Sequence, residues 1–201
     1  MSENFSEQAL LLGNRNALVG IITRPSSPPP NEMPAVVILN TGIVHRVGHN
    51  RMYVSLARML AGAGHVVLRF DLSGIGDSEQ RHDKLSTIDS SLADIREALD
   101  FLARTGAYAG AAPSRQLKLV LLDLKMPKVD GAEVLRQLRA TEAFRTLPVV
   151  VMTSSNEERD ITQSYLLGAN SYVVKPIDFT QFANTVIEIG LYWIVTNRVP
   201  G

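Results

Sequence analysis

Three residues of chemical consequence stand at the ends of three apolar runs. Asp123 closes KLVLLD, Thr153 closes PVVVMT and Lys175 closes SYVVK. Short, continuous apolar runs of this kind read as parallel strands buried on both faces. In a parallel sheet the carboxyl ends of the strands form one rim, where ligands gather. Consecutive strands thus deliver a carboxylate, a hydroxyl and an ammonium to one place. A carboxylate can attack phosphorus, and an ammonium and a hydroxyl can hold the phosphoryl oxygens. Taken singly, each polar residue is no more than a strand terminus. Their order carries the reading, together with the turns at Met126–Pro127 and Lys175–Pro176.

The segments LLDLKMPKVDG (Leu121 to Gly131), VVVMTS (Val149 to Ser154) and SYVVKP (Ser171 to Pro176) resemble the C-terminal part of a response-regulator receiver domain. That family is the phosphoacceptor module of two-component signalling, and the resemblance spans roughly residues 117–197. It implies that Asp123 is the phosphorylated aspartate, Thr153 the switch hydroxyl, Lys175 the phosphate-contacting lysine and Tyr172 the rotating aromatic. It implies a metal site made of Asp123 and the backbone carbonyl of Lys125, a cis Lys175–Pro176 peptide, and a tight turn at Gly168–Ala169. The departure is at the first receiver strand, which in the family ends in an acidic pair that holds magnesium. Magnesium favours hard oxygen ligands, often one or two carboxylates. The strand in that place, AVVILNTG, offers Asn40 and Thr41, and Asp71 closes the strand after it. The metal half of the site therefore reads as dismantled, with weak Mg2+ binding at most and no other cofactor.

The elements that must position these residues begin with a hairpin. Ala9–Leu12 and Leu18–Thr23 flank GNRN, a turn-forming stretch, and a proline-rich loop follows at residues 25–34. Strand, helix, strand and helix are expected next, at 35–39, 50–63, 65–70 and 90–105. Tyr53, Leu56, Ala57 and Leu60 recur at helical spacing in the first helix, and Leu92, Ile95, Leu99 and Leu102 in the second. Helices are expected in the second half at 132–140, 157–167 and 179–196. The order predicts an α/β fold, a three-layer sandwich around a mostly parallel doubly wound sheet, flavodoxin-like or α/β-hydrolase-like, with an N-terminal β-hairpin extension.

The first half also resembles the opening of an α/β-hydrolase, on RFDLSGIGDS, the NTG loop and SSLADIREALDFLA. That resemblance implies a nucleophile elbow on the next strand, yet no G-x-S-x-G occurs, and all four histidines lie in the first half. The catalytic triad is therefore absent, and no enzyme is expected. Ser73 and Ser78 keep a serine hydrolase as a minor alternative. The domain expectation is one α/β domain over 1–201, joining a hydrolase-like half (1–110) to a receiver-like half (117–201). Such a join reads as an engineered or recombined chimera with both sites incomplete and no evolved activity. The alternative is a receiver module phosphorylated on Asp123.

Composition bounds the partners. Lys plus Arg and Asp plus Glu are 20 each, so no basic field draws nucleic acid. There is no cysteine, hence no disulfide and no thiol chemistry. No apolar stretch reaches membrane-spanning length, so a cytoplasmic protein without membrane contact is expected. No protein partner is evident, although near-zero net charge leaves room for weak self-association. The glycine-rich loop Ser73–Ser78 and the group His45, Arg46 and His49 lack the ligand spacing of a phosphate loop or a metal site.

Overall fold

The computed structural model describes residues 4–13, 17–27, 35–39, 45–48, 51–82, 85, 87–103, 108, 117–124, 130–176, 178, 181, 184–185, 188–189 and 192–193. The elements are β1 (Phe5–Leu12), β2 (Leu18–Pro25), β3 (Ala35–Leu39), α1 (Met52–Gly62), β4 (Val66–Phe70), α2 (Thr87–Ala103), β5 (Leu117–Asp123), α3 (Gly131–Ala140), a 3-10 turn (Glu142–Phe144), β6 (Val149–Thr153), α4 (Glu158–Leu166) and β7 (Ser171–Val174). Helical backbone continues after β7 at Gln181, Asn184–Thr185 and Glu188–Ile189.

All strands belong to one seven-stranded sheet in the order β1-β2-β4-β3-β5-β6-β7. From β4 to β7 every pairing is parallel. Within that stretch the order is second, first, third, fourth, fifth, the flavodoxin-like doubly wound arrangement. β3 pairs directly with β5, Val36 opposite Leu119 and Leu39 opposite Leu122, so the sheet runs unbroken across the stretch that separates the two halves of the sequence. The β1–β2 hairpin adds two antiparallel strands beside β4.

Period-two alternation sorts the strand residues between two apolar layers. Val37, Leu39, Leu68, Phe70, Val120, Leu122, Val149 and Val151 face α2 and α3. Val36, Ile38, Val67, Leu119, Leu121, Val150 and Met152 face α1 and the C-terminal helical residues Ile189 and Trp193. β3, β4 and β6 are buried along their whole length, as parallel strands covered on both faces must be. α1 stops where Gly64 takes φ +102°, a left-handed closure that brings the His65 N–H to the Leu60 carbonyl. α3 starts at Asp130, whose side chain accepts the Ala132 N–H at 3.0 Å.

The hairpin is tied to the sheet by charge as well as by its ladder. Glu7 of β1 accepts from Arg69 of β4 at 2.7 Å and from Arg58 of α1 at 2.6 Å. Burial raises the Glu7 pKa, but the hydrogen bonds and charges of Arg58 and Arg69 outweigh it, so the carboxyl sits below its ordinary value. A depressed acid contributes stability that is present above its unfolded pKa and is lost as pH falls through the folded one. Glu7→Gln is therefore expected to cost about 1–2 kcal/mol at neutral pH, because it leaves the buried Arg69 guanidinium short of its counter-charge. The gap to wild type should close as pH falls below about 4. A denaturant midpoint difference that persists unchanged into acid would contradict this.

Candidate functional site at the strand ends

The rim is built from the carboxyl ends of β5, β6 and β7. Asp123 is 4% exposed at the end of β5. The Lys175 ammonium, one residue beyond β7, contacts its Oδ2 directly. The Lys175 side chain is 17% exposed, so the pair is largely out of water. A third residue joins them. Tyr53, 1% exposed in the first turn of α1, brings its hydroxyl to 3.5 Å from Lys175 Nζ and its ring centroid to 5.8 Å. That distance allows a cation–π contribution. In the sequence Tyr53 reads only as part of an apolar helical stripe. An aromatic hydroxyl among aliphatic neighbours was the available signal.

Thr153 and Tyr172 form a neighbouring group. Thr153 is fully buried, and its hydroxyl oxygen accepts the Ser155 N–H at 3.2 Å. The Tyr172 hydroxyl donates to the Ser155 carbonyl at 3.1 Å. Burial pushes the Tyr172 phenol up, and the nearby Asp160 and Glu157 charges add to the shift. The two groups are stitched by the Lys175 backbone N–H, which donates to the Thr153 carbonyl at 2.7 Å. Arg139 holds the turn before β7 by donating to the Gly168 carbonyl at 2.8 Å, with Gly168 at φ +93°. The Lys175–Pro176 peptide is trans, the ordinary X-Pro preference, against the cis form that the family resemblance suggested. Lys125, Asn40, Thr41 and His49 lie outside the described residues.

The start of α3 lies close against the end of β5. The Gly131 N–H donates to the Leu124 carbonyl at 3.1 Å. A Cβ on Gly131 would lie 2.7 Å from Leu124 Cα and closer still to the Asp123 carbonyl oxygen. The glycine of the VDG segment is thus required by close backbone approach beneath the rim.

The remaining rim carboxylate is already bound. Asp71, fully buried after β4, takes the Arg46 guanidinium on Oδ2 and the Arg46 and Asp77 N–H groups at 2.5 and 3.3 Å. Arg46 also holds Asp77 at 2.6 Å. Among the described residues no three His, Asp or Glu side chains converge as metal ligands. A divalent ion would find Asp123 paired with an ammonium, Asp71 sealed by a guanidinium, and neutral side-chain types at Asn40 and Thr41. That donor set does not fit magnesium.

The serine alternative fails on contacts. Ser73 donates to Asp94 at 2.9 Å, with its N–H on the same carboxylate at 2.7 Å. Ser78 donates to the Asp71 carbonyl at 2.8 Å and accepts the Val19 N–H at 2.9 Å. Both hydroxyls brace the loop after β4, and neither faces an imidazole base in these bonds. No helix among the described residues is long and apolar enough to cross a membrane.

Comparison with known proteins places this geometry. The family model described as response regulator receiver domain matches residues 85–187. The chain is 43% identical over 110 residues to the probable methanogenesis regulatory protein FilR2 of Methanothrix harundinacea, covering 55% of this chain and 68% of that protein. It is 37% identical over 120 residues to the response regulator Rcp1 of Synechocystis, covering 58% of this chain and 80% of the relative. The phosphorylated cyanobacterial phytochrome response regulator RcpA superposes with a TM-score of 0.51 at 25% identity, over 84% of this chain and 99% of its own. The Mn2+-bound form of Rcp1 shares the fold, with a TM-score of 0.53 at 24% identity over 84% of this chain.

These findings overturn two expectations. The hydrolase half and the chimera do not stand, because the receiver match begins at residue 85, inside the supposed hydrolase segment, and RcpA covers 84% of the chain. The physical reason is that strand–helix–strand–helix opens both folds alike, so the local pattern of the first half does not separate them. The expectation of no evolved activity falls with the chimera that motivated it. What remains is a receiver sheet widened by a hairpin, and the chain belongs to the response-regulator receiver family.

Proposed function

We propose that this chain is a phosphoacceptor signalling module, a single α/β domain that takes a phosphoryl group on Asp123. The observation that carries the reading is the buried Asp123 carboxylate in contact with Lys175 at the shared rim of β5 and β7. In the transfer, an Asp123 oxygen bonds to phosphorus while the phosphorus–oxygen bond to the leaving group breaks. The electron pair departs with that group. Lys175 meets the phosphoryl charge, and the Thr153 hydroxyl with Tyr172 beside it forms the element that responds. The partner class that family membership suggests is a histidine kinase or another signalling protein, and the module itself is not an enzyme.

Incubation with acetyl phosphate followed by intact-mass spectrometry tests this. One phosphoryl adduct per chain is expected, absent in Asp123→Asn. An adduct that survives that substitution would place the acceptor elsewhere.

A further inference from the structure

The rim carries its cationic charge on side chains. Lys175 contacts Asp123, and its own position is set from α1 by Tyr53, whose hydroxyl lies 3.5 Å away beneath a nearly complete cover of protein. Asp71, the only other carboxylate that closes a parallel strand among the described residues, is neutralised by Arg46 and two backbone N–H groups. β3 leads into Asn40 and Thr41, neither of which bears charge. A dication entering here would meet one carboxylate whose charge is already balanced, with an ammonium beside it repelling the newcomer.

We propose that phosphoryl uptake at Asp123 is independent of divalent cations, the charge being met by the Lys175 ammonium that Tyr53 holds against the acceptor. This rests on Asp123 being the acceptor. With acetyl phosphate, the Asp123 carboxylate oxygen forms the new bond to phosphorus and the acetyl–oxygen–phosphorus link breaks on the phosphorus side. Acetate leaves with the electron pair, and no proton or further reactant is needed. The acyl phosphate bears about one more negative charge than the carboxylate it replaces. Lys175 needs only to turn from the carboxylate to the phosphoryl oxygens, with Tyr53 as its fixed partner. Tyr53 is a positioning residue: it touches the lysine.

The whole chain is treated with acetyl phosphate in excess EDTA and, in parallel, in millimolar magnesium, and adduct formation is timed by intact mass. The two rates are expected to agree within about twofold, well under the tenfold that 1.4 kcal/mol would give. Calorimetric titration of the unphosphorylated chain with Mn2+ is expected to show no binding heat. Tyr53→Phe keeps the buried ring and removes the hydroxyl. It should slow uptake about three- to tenfold in both buffers, the size of one ordinary net hydrogen bond, with the denaturation midpoint nearly unchanged. A purely structural tyrosine would move the midpoint and spare the rate.

A tenfold or larger acceleration by magnesium, or a saturable Mn2+ isotherm, overturns metal independence while leaving Asp123 as acceptor. An unslowed Tyr53→Phe overturns the positioning role. No adduct in either buffer overturns the acceptor reading itself, and this inference with it.

Discussion

Lys175→Ala is expected to lower the folding stability by about 3 kcal/mol, the size seen when one side of a buried ion pair is removed. The loss arises on the partner left behind. Asp123 is 4% exposed at the end of β5, with Tyr53 of α1 packed over the same corner, so its charge would remain in a poorly hydrated place without the ammonium. The lysine stem also carries buried surface that alanine would not replace. Asp123→Asn removes the same charge pair from the other side at much smaller cost. The amide oxygen still accepts from the ammonium, and Lys175, at 17% exposure, keeps some contact with water. Urea unfolding of both variants and wild type provides the measurement. Three coincident midpoints would show that the two groups are solvated independently. In the same series Lys175→Ala should fail to take up phosphate at a useful rate even where it remains folded.

Gly131→Ala is the second large effect, about 2–3 kcal/mol, in the range of overpacking at a site that cannot relax. The added Cβ would meet backbone atoms, Leu124 Cα at 2.7 Å and the Asp123 carbonyl oxygen nearer still. Side chains can swing away from such a contact, but a strand end cannot move without carrying its residues with it. The substitution should therefore displace Asp123 relative to Lys175, and phosphoryl uptake should fall together with stability. Gly62, the last residue of α1, is the control. A Cβ there meets nothing within 4 Å, so Gly62→Ala should be neutral or stabilise by up to about 1 kcal/mol. Equal melting behaviour of the two alanine variants would mean that the contact of Gly131 with Asp123 and Leu124 can relax.

The sequence alone determined much of the local structure and which residues close the second-half strands. Unbroken apolar runs at KLVLLD, PVVVM and SYVV read as strands of a parallel sheet, and what ends each run then sits at its carboxyl edge, although SYVV became an edge strand with Val174 exposed. That logic set Asp123, Thr153 and Lys175 at three strand ends, and the folded sheet puts Lys175 against Asp123 while the Thr153 hydroxyl bonds to Ser155. Helical periodicity in Tyr53–Leu60 and Leu92–Leu102 located α1 and α2 in the same way. The family of the first half was beyond its reach. The run from β3 to α2 has the same local pattern in two architectures, and the pairing of Val36 with Leu119 and Val37 with Val120 fits both. The expectation of one domain therefore assigned two parts of a single continuous sheet to two families, whereas the receiver match begins at residue 85.

Side-chain partnerships between distant elements were equally hidden. Tyr53 is one apolar-face residue among several until α1 is laid over β5 and β7, which brings its hydroxyl to Lys175 across 122 positions. Arg46 and Asp71 are a loop arginine and a strand-end aspartate until the fold brings the Arg46 guanidinium onto the buried carboxylate. Periodicity reports which face a residue takes. Only the packed sheet brings charges from separate strands and loops to hydrogen-bond distance, Arg46 to Asp71 and Lys175 to Asp123.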